Sequence, residues 1–370
     1  MIPHLVLFFT RGVSLRTWSM VGMLEREIAL YRRLIENGLQ VSFVTYGDAS
    51  DQAFEDRLGG IRILCNRSGL DFREYEQGLF SLHEDTLKNC TVIKTNQTYG
   101  ADIALNASRM FGKPLVARCG YMWSANAGRE HGEESAQAIE ARRVEELVFE
   151  AADKVVVTTY AMKSDVERRI PSAAQRVKVI PNYVDTELFS PAGTQRDAGT
   201  VLFIGRIAPE KNLESLIEAV EPLDLRLTLI GEGKLRPVLQ RRFNDLDGRI
   251  TWEGNVPNSQ LPNYLNRSGC FVLPSLYEGH PKSLLEAMSC GVPVIGANSP
   301  GIRELIRHRE TGLLCGTDAA AIRAALEEVM SQPALGAELG RNARDFVIEN
   351  YSLGRIVQME LDLLNEIVHP

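Results

Sequence analysis

The sequence has no apolar run near the roughly 20 residues that a membrane-crossing helix requires. Its six cysteines stand singly at Cys65, Cys90, Cys119, Cys270, Cys290 and Cys315, without a CxxC pair or a zinc-like spacing. Isolated thiols read as reduced side chains of a cytosolic protein rather than a disulfide framework. There is no basic excess, and a net charge of −7 disfavours nucleic acid as a partner. A targeting segment is not expected either. The apolar opening Met1–Thr10 has no basic stretch before it and runs into Arg11, so it reads as a buried first strand.

What is present is an ordinary globular composition, 44% hydrophobic and 24% charged, which excludes disorder and collagen. At about 100–200 residues per domain, 370 residues suggest two domains. Residues 1–180 carry 23 basic and 23 acidic side chains, and the remainder carries 18 and 25. One neutral and one acidic half support that division.

Short apolar runs alternate with longer amphipathic ones, the pattern of parallel α/β architecture. Strands are expected at Leu5–Phe9, Val41–Thr45, Ile61–Leu64, Val92–Lys94, Leu115–Ala117 and Lys154–Thr158. Helices are expected at Val21–Asn37, closed by Gly38, and at Glu133–Ala152. After a Pro/Asn-rich connector, Ile180–Asp185, strands restart at Val201–Ile204, Leu227–Ile230, Ile250–Glu253, Cys270–Leu273 and Val294–Ile295. The reading is two doubly wound parallel-sheet domains, 1–180 and 181–350, with a hinge near 180–195. A C-terminal helix, 351–370, could pack on either domain or cross back to the first. Ligands of such sheets bind outside the strands' carboxyl ends, here in a cleft between the domains.

Three segments of the second half place charge just after a strand. In Val201-Leu-Phe-Ile-Gly-Arg-Ile-Ala-Pro-Glu-Lys211, Gly205 allows a tight exit, and Arg206 and Lys211 bring two cations to a helix N-terminus, a setting suited to a diphosphate. The plainer alternative pairs those cations with Glu210 or Glu214. Gly231-Glu-Gly233 lacks the third glycine of a dinucleotide fingerprint and equally suits close backbone packing. The third segment runs from Cys270 to Ile295. Glu278-Gly279-His280-Pro281 follows a strand, and Lys282, Ser283, Leu284 and Glu286 open a helix that Gly291 stops. Two carboxylates and helix amides could meet sugar hydroxyls, a ribose and phosphate. Singly, Glu286 could answer the helix dipole and Glu278 could be an exposed loop acid.

These residues resemble the retaining GT-B glycosyltransferases of family 4. Glu278 and Glu286 have that family's E-x7-E spacing, and the runs at 181–185, 205–211, 231–233, 252–257 and 299–305 are similar in order. The resemblance covers about 180–350. It implies a GT-B fold with an acceptor-binding first domain and a donor-binding second domain. A sugar would move, with retention and without an obligatory metal, from a UDP- or GDP-sugar to a saccharide, glycolipid or small-molecule acceptor. Arg206 and Lys211 would hold the diphosphate, Glu286 the ribose, and Glu278 with Gly279–Pro281 the sugar, in a front-face displacement. No separate cofactor is implied.

This sequence departs from the family where many members carry a histidine after the strand at 114–123. Here Arg118, Cys119, Gly120 and Tyr121 stand instead, so that role is not transferred. His280 replaces an aromatic residue and reads as a sugar-contacting or loop-packing side chain. His4, His83, His308 and His369 show no ligand spacing. Asp245-Leu-Asp247 follows a polar helix end and reads as a turn, with no metal assigned. Acceptor-side candidates are Arg11, Gly12, Gly22, Asn96, Arg118 and Tyr121, with Lys94–Gln97 offering polar groups to hydroxyls, or else capped loop structure. The pairs Arg142-Arg143 and Arg168-Arg169 could give a peripheral contact at the inner face of a membrane, or form a solvated helix face. Competing functions are a nucleotide-sugar epimerase and a non-catalytic nucleotide-sugar-binding protein. A glycosidase would leave Arg206 and Lys211 without a task.

Overall fold

The computed structural model describes residues 2–246 and 248–368. Asp247 and His369 therefore lie outside the described residues. Contacts divide the chain into one unit of Met1–Met20, Arg26–Pro181 and Ile356–Pro370, and a second of Val21–Glu25 and Asn182–Arg355.

In the first unit, uninterrupted apolar runs such as Leu5–Phe9 are covered on both faces, the setting that a parallel sheet gives its strands. Seven strands form that sheet: β1 His4–Phe8, β2 Gln40–Asp48, β3 Arg62–Asn66, β4 Val92–Thr95, β5 Leu115–Cys119, β6 Lys154–Val157 and β7 Val177–Val179. Their order is β3-β2-β1-β4-β5-β6-β7, and every pairing is parallel. The second unit repeats the plan with β8 Asp197–Ile204, β9 Arg226–Ile230, β10 Ile250–Gly254, β11 Ser268–Leu273, β12 Val294–Ala297 and β13 Leu313–Cys315. Its order, β10-β9-β8-β11-β12-β13, is the doubly wound nucleotide-binding arrangement. Both units are Rossmann-like, as expected, and together have the composition of a GT-B fold.

The differences from expectation are local. The helix expected at Val21–Asn37 is a single helix, Leu24–Glu36, and a short helix that was not expected, Leu15–Met20, precedes it. Gly22 separates the two with φ of 73°, and a Cβ there would lie 2.6 Å from the Val256 carbonyl oxygen. The helical stretch expected at Glu133–Ala152 is one helix, Ala136–Ala151, preceded by another that was not expected, Trp123–His131. Trp123–His131 ends at Gly132, and Ser135 caps Ala136–Ala151 by accepting from the Ala138 amide. Strands β7 and β13 were not expected, because three residues carry too little periodicity to register.

Lys94 corrects an expectation of function. Rather than offering hydrogen bonds to ligand hydroxyls, its side chain is fully buried, and Nζ donates to both carboxylate oxygens of Glu360 at 2.6 Å. Burial draws the lysine below its usual range while Glu360 opposes that shift. Glu360 sits on the helix Leu353–Val368, whose Glu366 also pairs with Lys154 at 2.6 Å and Lys178 at 3.2 Å. The C-terminal helix is thereby tied to β4, β6 and β7. Removing one partner of a sealed pair strands the other charge, so Glu360→Ala should cost about 3–5 kcal/mol. Lys94→Met combined with Glu360→Leu should recover most of that loss in urea unfolding.

His83 supplies a pH dependence. Its Nε2 lies 3.1 Å from the Tyr75 hydroxyl, and burial, with Arg67 nearby, lowers its pKa to about 4. The unfolded chain binds this proton from about pH 6.5 downward, whereas the folded chain resists it. Stability therefore falls as pH drops through that window, with a slope of up to about 1.4 kcal/mol per pH unit from this group. His83→Gln should flatten the slope in urea midpoints compared between pH 7 and pH 5.

Candidate functional site

In the second sheet the strand order reverses between β8 and β11, so the loops leaving those strands emerge side by side. After β8 the chain turns at Gly205, whose amide donates to the Ile230 carbonyl at 2.9 Å. The neighbouring Gly231 has φ of 132°, and a Cβ on it would come 2.0 Å from the Gly205 carbonyl oxygen. Glycine here lets two loop backbones touch.

The β8 loop ends in a short 3₁₀ turn, Pro209–Lys211, followed by Asn212 in the left-handed region. The Asn212 amide donates to the carbonyls of Pro274 at 3.2 Å and Thr317 at 2.7 Å. The Leu276 amide donates to the Glu210 carbonyl at 2.8 Å. These bonds lash the β8 loop to the β11 loop and bring Lys211 Nζ to 2.5 Å from Glu278 Oε1. The two side chains are 13% and 11% exposed, so the pair is sheltered but reachable. Arg206 does not join them. It is 78% exposed and pairs with Glu210 at 2.8 Å, the plainer alternative for this loop, while Glu214 pairs with Arg242.

The β11 loop is held from several sides. The Glu278 amide donates to the Pro300 carbonyl at 2.9 Å, and Asn182 Nδ2 donates to the His280 carbonyl at 2.7 Å. The His280 ring is buried edge-on against Tyr351 at 5.3 Å, which is a loop-packing position. Gly279 lies between these anchors. Pro281 occupies the N-cap of the helix Lys282–Ser289 and offers no side-chain acceptor to the first-turn amides near Ser283 and Leu284. The Lys282 ammonium sits 6.0 Å from the centre of the Tyr183 ring. Glu286 is 1% exposed and accepts from Asn258 Nδ2 at 2.8 Å. The two carboxylates of the E-x7-E spacing thus have different surroundings.

On the first unit, Arg11, Gly12, Asn96 and Tyr121 follow the carboxyl ends of β1, β4 and β5, and Arg118 is the penultimate residue of β5. Asn96 and Arg118 meet directly, since Arg118 Nη1 donates to the Asn96 carbonyl at 3.1 Å. Arg11 pairs with Glu76. Gly22 is not among them, because Val21–Glu25 packs with the second unit, where the Gly22 carbonyl accepts from the Asn258 amide at 3.0 Å. The basic pairs carry acidic neighbours: Arg142 with Glu133, Arg143 with Glu140, Arg168 with Asp165 and Arg169 with Glu145.

Sequence reasoning missed Asn258, the partner of Glu286. Asn258 directly follows the Val256-Pro257 motif, and that adjacency was the available signal. Among the described residues no group of three or more His, Cys, Asp or Glu is arranged to hold a metal ion. Asp245 lies in the short 3₁₀ turn Asn244–Leu246.

Comparison with known proteins bears on this site. Residues 184–346 match the family model for Glycosyl transferases group 1, and residues 28–188 match that for Glycosyltransferase Family 4. Alpha-maltose-1-phosphate synthase of Mycolicibacterium smegmatis is 27% identical over 254 residues, 60% of this chain and 66% of that protein. The Escherichia coli UDP-Gal:alpha-D-GlcNAc-diphosphoundecaprenol alpha-1,3-galactosyltransferase is 29% identical over 215 residues, 52% of this chain and 55% of its own length. The chain thus spans just under two-thirds of the first of these relatives and about half of the second. Among solved structures, Anabaena HepE in complex with UDP superposes with a TM-score of 0.79 at 17% identity, covering 99% of this chain and 100% of that one. With two Rossmann-like units and two glycosyltransferase models matched in succession, the chain belongs to the GT-B glycosyltransferases.

Proposed function

We propose that the protein is a retaining, metal-independent glycosyltransferase. It takes a UDP- or GDP-sugar as donor and a saccharide, glycolipid or small molecule as acceptor. The second unit binds the donor and the first the acceptor. The observation that carries this reading is the Lys211–Glu278 pair, a sheltered cation and carboxylate at the switch point of a nucleotide-binding sheet. Two similar proteins support it: the E. coli relative is a UDP-Gal galactosyltransferase, and HepE was solved with UDP.

Transfer breaks the bond between the anomeric carbon and the diphosphate oxygen, and forms one from that carbon to an acceptor oxygen. Negative charge collects on the departing diphosphate. Lys211, the exposed Arg206 and the amide-rich start of the helix Lys282–Ser289 are the groups suited to stabilise it. In the front-face course the acceptor's proton passes to the leaving phosphate oxygen, so no side-chain base is needed and the missing first-unit histidine is no obstacle. Glu278 accepts hydrogen bonds from the donor sugar and orients Lys211. Glu286, held by Asn258, accepts from the ribose. We place the reaction in the cytoplasm or at the inner membrane face, in keeping with six free cysteines, five of them buried.

Incubation with UDP- and GDP-sugars, read by nucleotide release and by NMR of the product's anomeric centre, tests the reading. No binding or turnover across that panel would sink it. A charge-assisted contact contributes about 1.5–3 kcal/mol, so Lys211→Ala should lower kcat/KM for the donor by roughly 10- to 150-fold. Glu278→Gln should lower kcat more than it raises donor KM. The reverse pattern would reassign that carboxylate to nucleotide binding.

A further inference from the structure

The first unit carries a second constellation, at the carboxyl ends of its central strands, that the donor chemistry leaves unused. Arg11 follows β1, Tyr46 lies near the end of β2, Phe72 and Glu76 stand on the helix after β3, and Tyr99 follows β4. Four neighbouring chain segments therefore converge on one stretch of a single sheet edge. The Phe72 and Tyr46 rings stack at 5.6 Å with 23° between their planes, and Phe72 is 47% exposed. The Arg11 guanidinium lies 6.0 Å from the Phe72 ring and pairs with Glu76. Tyr99 is 41% exposed and meets Trp123, which follows β5, edge-on at 4.9 Å.

Two polar atoms in this cluster, the Tyr46 hydroxyl and Glu76 Oε1, are buried without a hydrogen-bond partner. Native structures seldom leave such atoms unmatched, and a ligand hydroxyl can satisfy both a phenol and a carboxylate oxygen. Aromatic faces exposed beside unmatched oxygen acceptors suit a sugar ring, whose C–H face packs on an arene while its hydroxyls donate from the rim. The charges select further. Tyr46 is in electrostatic reach of one cation, Arg11, against two carboxylates, Glu76 and Asp102. A phosphorylated group would be repelled here, whereas a neutral ring would not.

The geometry points to Phe72, Tyr99, Tyr46 and Glu76 as a subsite for a neutral saccharide, the terminal unit of the acceptor. This inference rests on the transferase reading for the word acceptor, but not for the binding itself. The test therefore uses the full chain without donor. Saturation-transfer NMR titrations would use methyl α-glucoside, methyl α-galactoside, methyl α-mannoside, methyl N-acetyl-α-glucosaminide and maltose, with glucose 6-phosphate as the anionic comparison. At least one neutral glycoside should bind, more tightly than the phosphate ester. Phe72→Ala and Tyr99→Ala, both exposed positions checked by circular dichroism, should each weaken it at least fivefold. Binding by none of the neutral sugars, unchanged binding in a folded variant, or tighter binding of the phosphate ester would overturn the subsite. Donor turnover by the wild-type protein is measured separately. Turnover without glycoside binding removes the subsite alone, and glycoside binding without any donor turnover removes the transferase reading alone.

Discussion

A parallel sheet delivers all its strands' carboxyl ends to one edge, and much of this molecule's chemistry follows from that constraint. Each sheet begins in its middle, adds two strands to one side and then continues on the other. At the reversal, loops after β8 and β11 leave adjacent strands toward different flanks and open a space that no connection fills. Residues far apart in sequence meet there without a dedicated scaffold. Lys211 and Glu278 are 67 positions apart yet hydrogen-bonded at 2.5 Å, because their strands are neighbours and Asn212 bonds one loop to the other.

Two lysine–glutamate pairs show how burial divides structure from function. Lys94 and Glu360 are sealed, at 0% and 2% exposure, and each uses the other to offset desolvation. No ligand can reach that ammonium without dismantling the sheet's cover. Lys211 and Glu278 have similar chemistry but keep an open side, so their mutual attraction holds both charges at a surface where a third charge can enter. Arg206, more exposed still, is screened by water and adds less when it stands alone.

The fold was largely legible in the sequence, because strands buried on both faces are written as apolar runs such as Val201–Ile204. What escaped was short or broken by backbone geometry. The strands β7 and β13 have three residues each, and the helices Leu15–Met20 and Trp123–His131 are short segments set off by Gly22 and Gly132, both at positive φ. In the candidate site, the segments after β8 and β11 were legible because glycines and charges crowd into a few positions at strand ends. Their partners were not. Asn258 is an ordinary polar residue until the fold sets it against Glu286, and Glu210, offered beside Glu214, is singled out only by its contact with Arg206. Lys94 misled for the same reason, since a strand-end lysine looks alike whether it faces solvent or a helix arriving from the far end of the chain.

The return of the helix Leu353–Val368 to the first unit has a consequence in time. Lys94 lies 266 positions before Glu360, so on the ribosome the lysine is translated long before its counter-charge exists. At about 5–20 residues per second that interval is on the order of tens of seconds. Throughout it, β4 must carry an unmatched ammonium that a finished sheet would not tolerate. The first unit is thus begun first and completed last, and the long segment Asn182–Arg355 of the second unit is synthesised while the first waits to close.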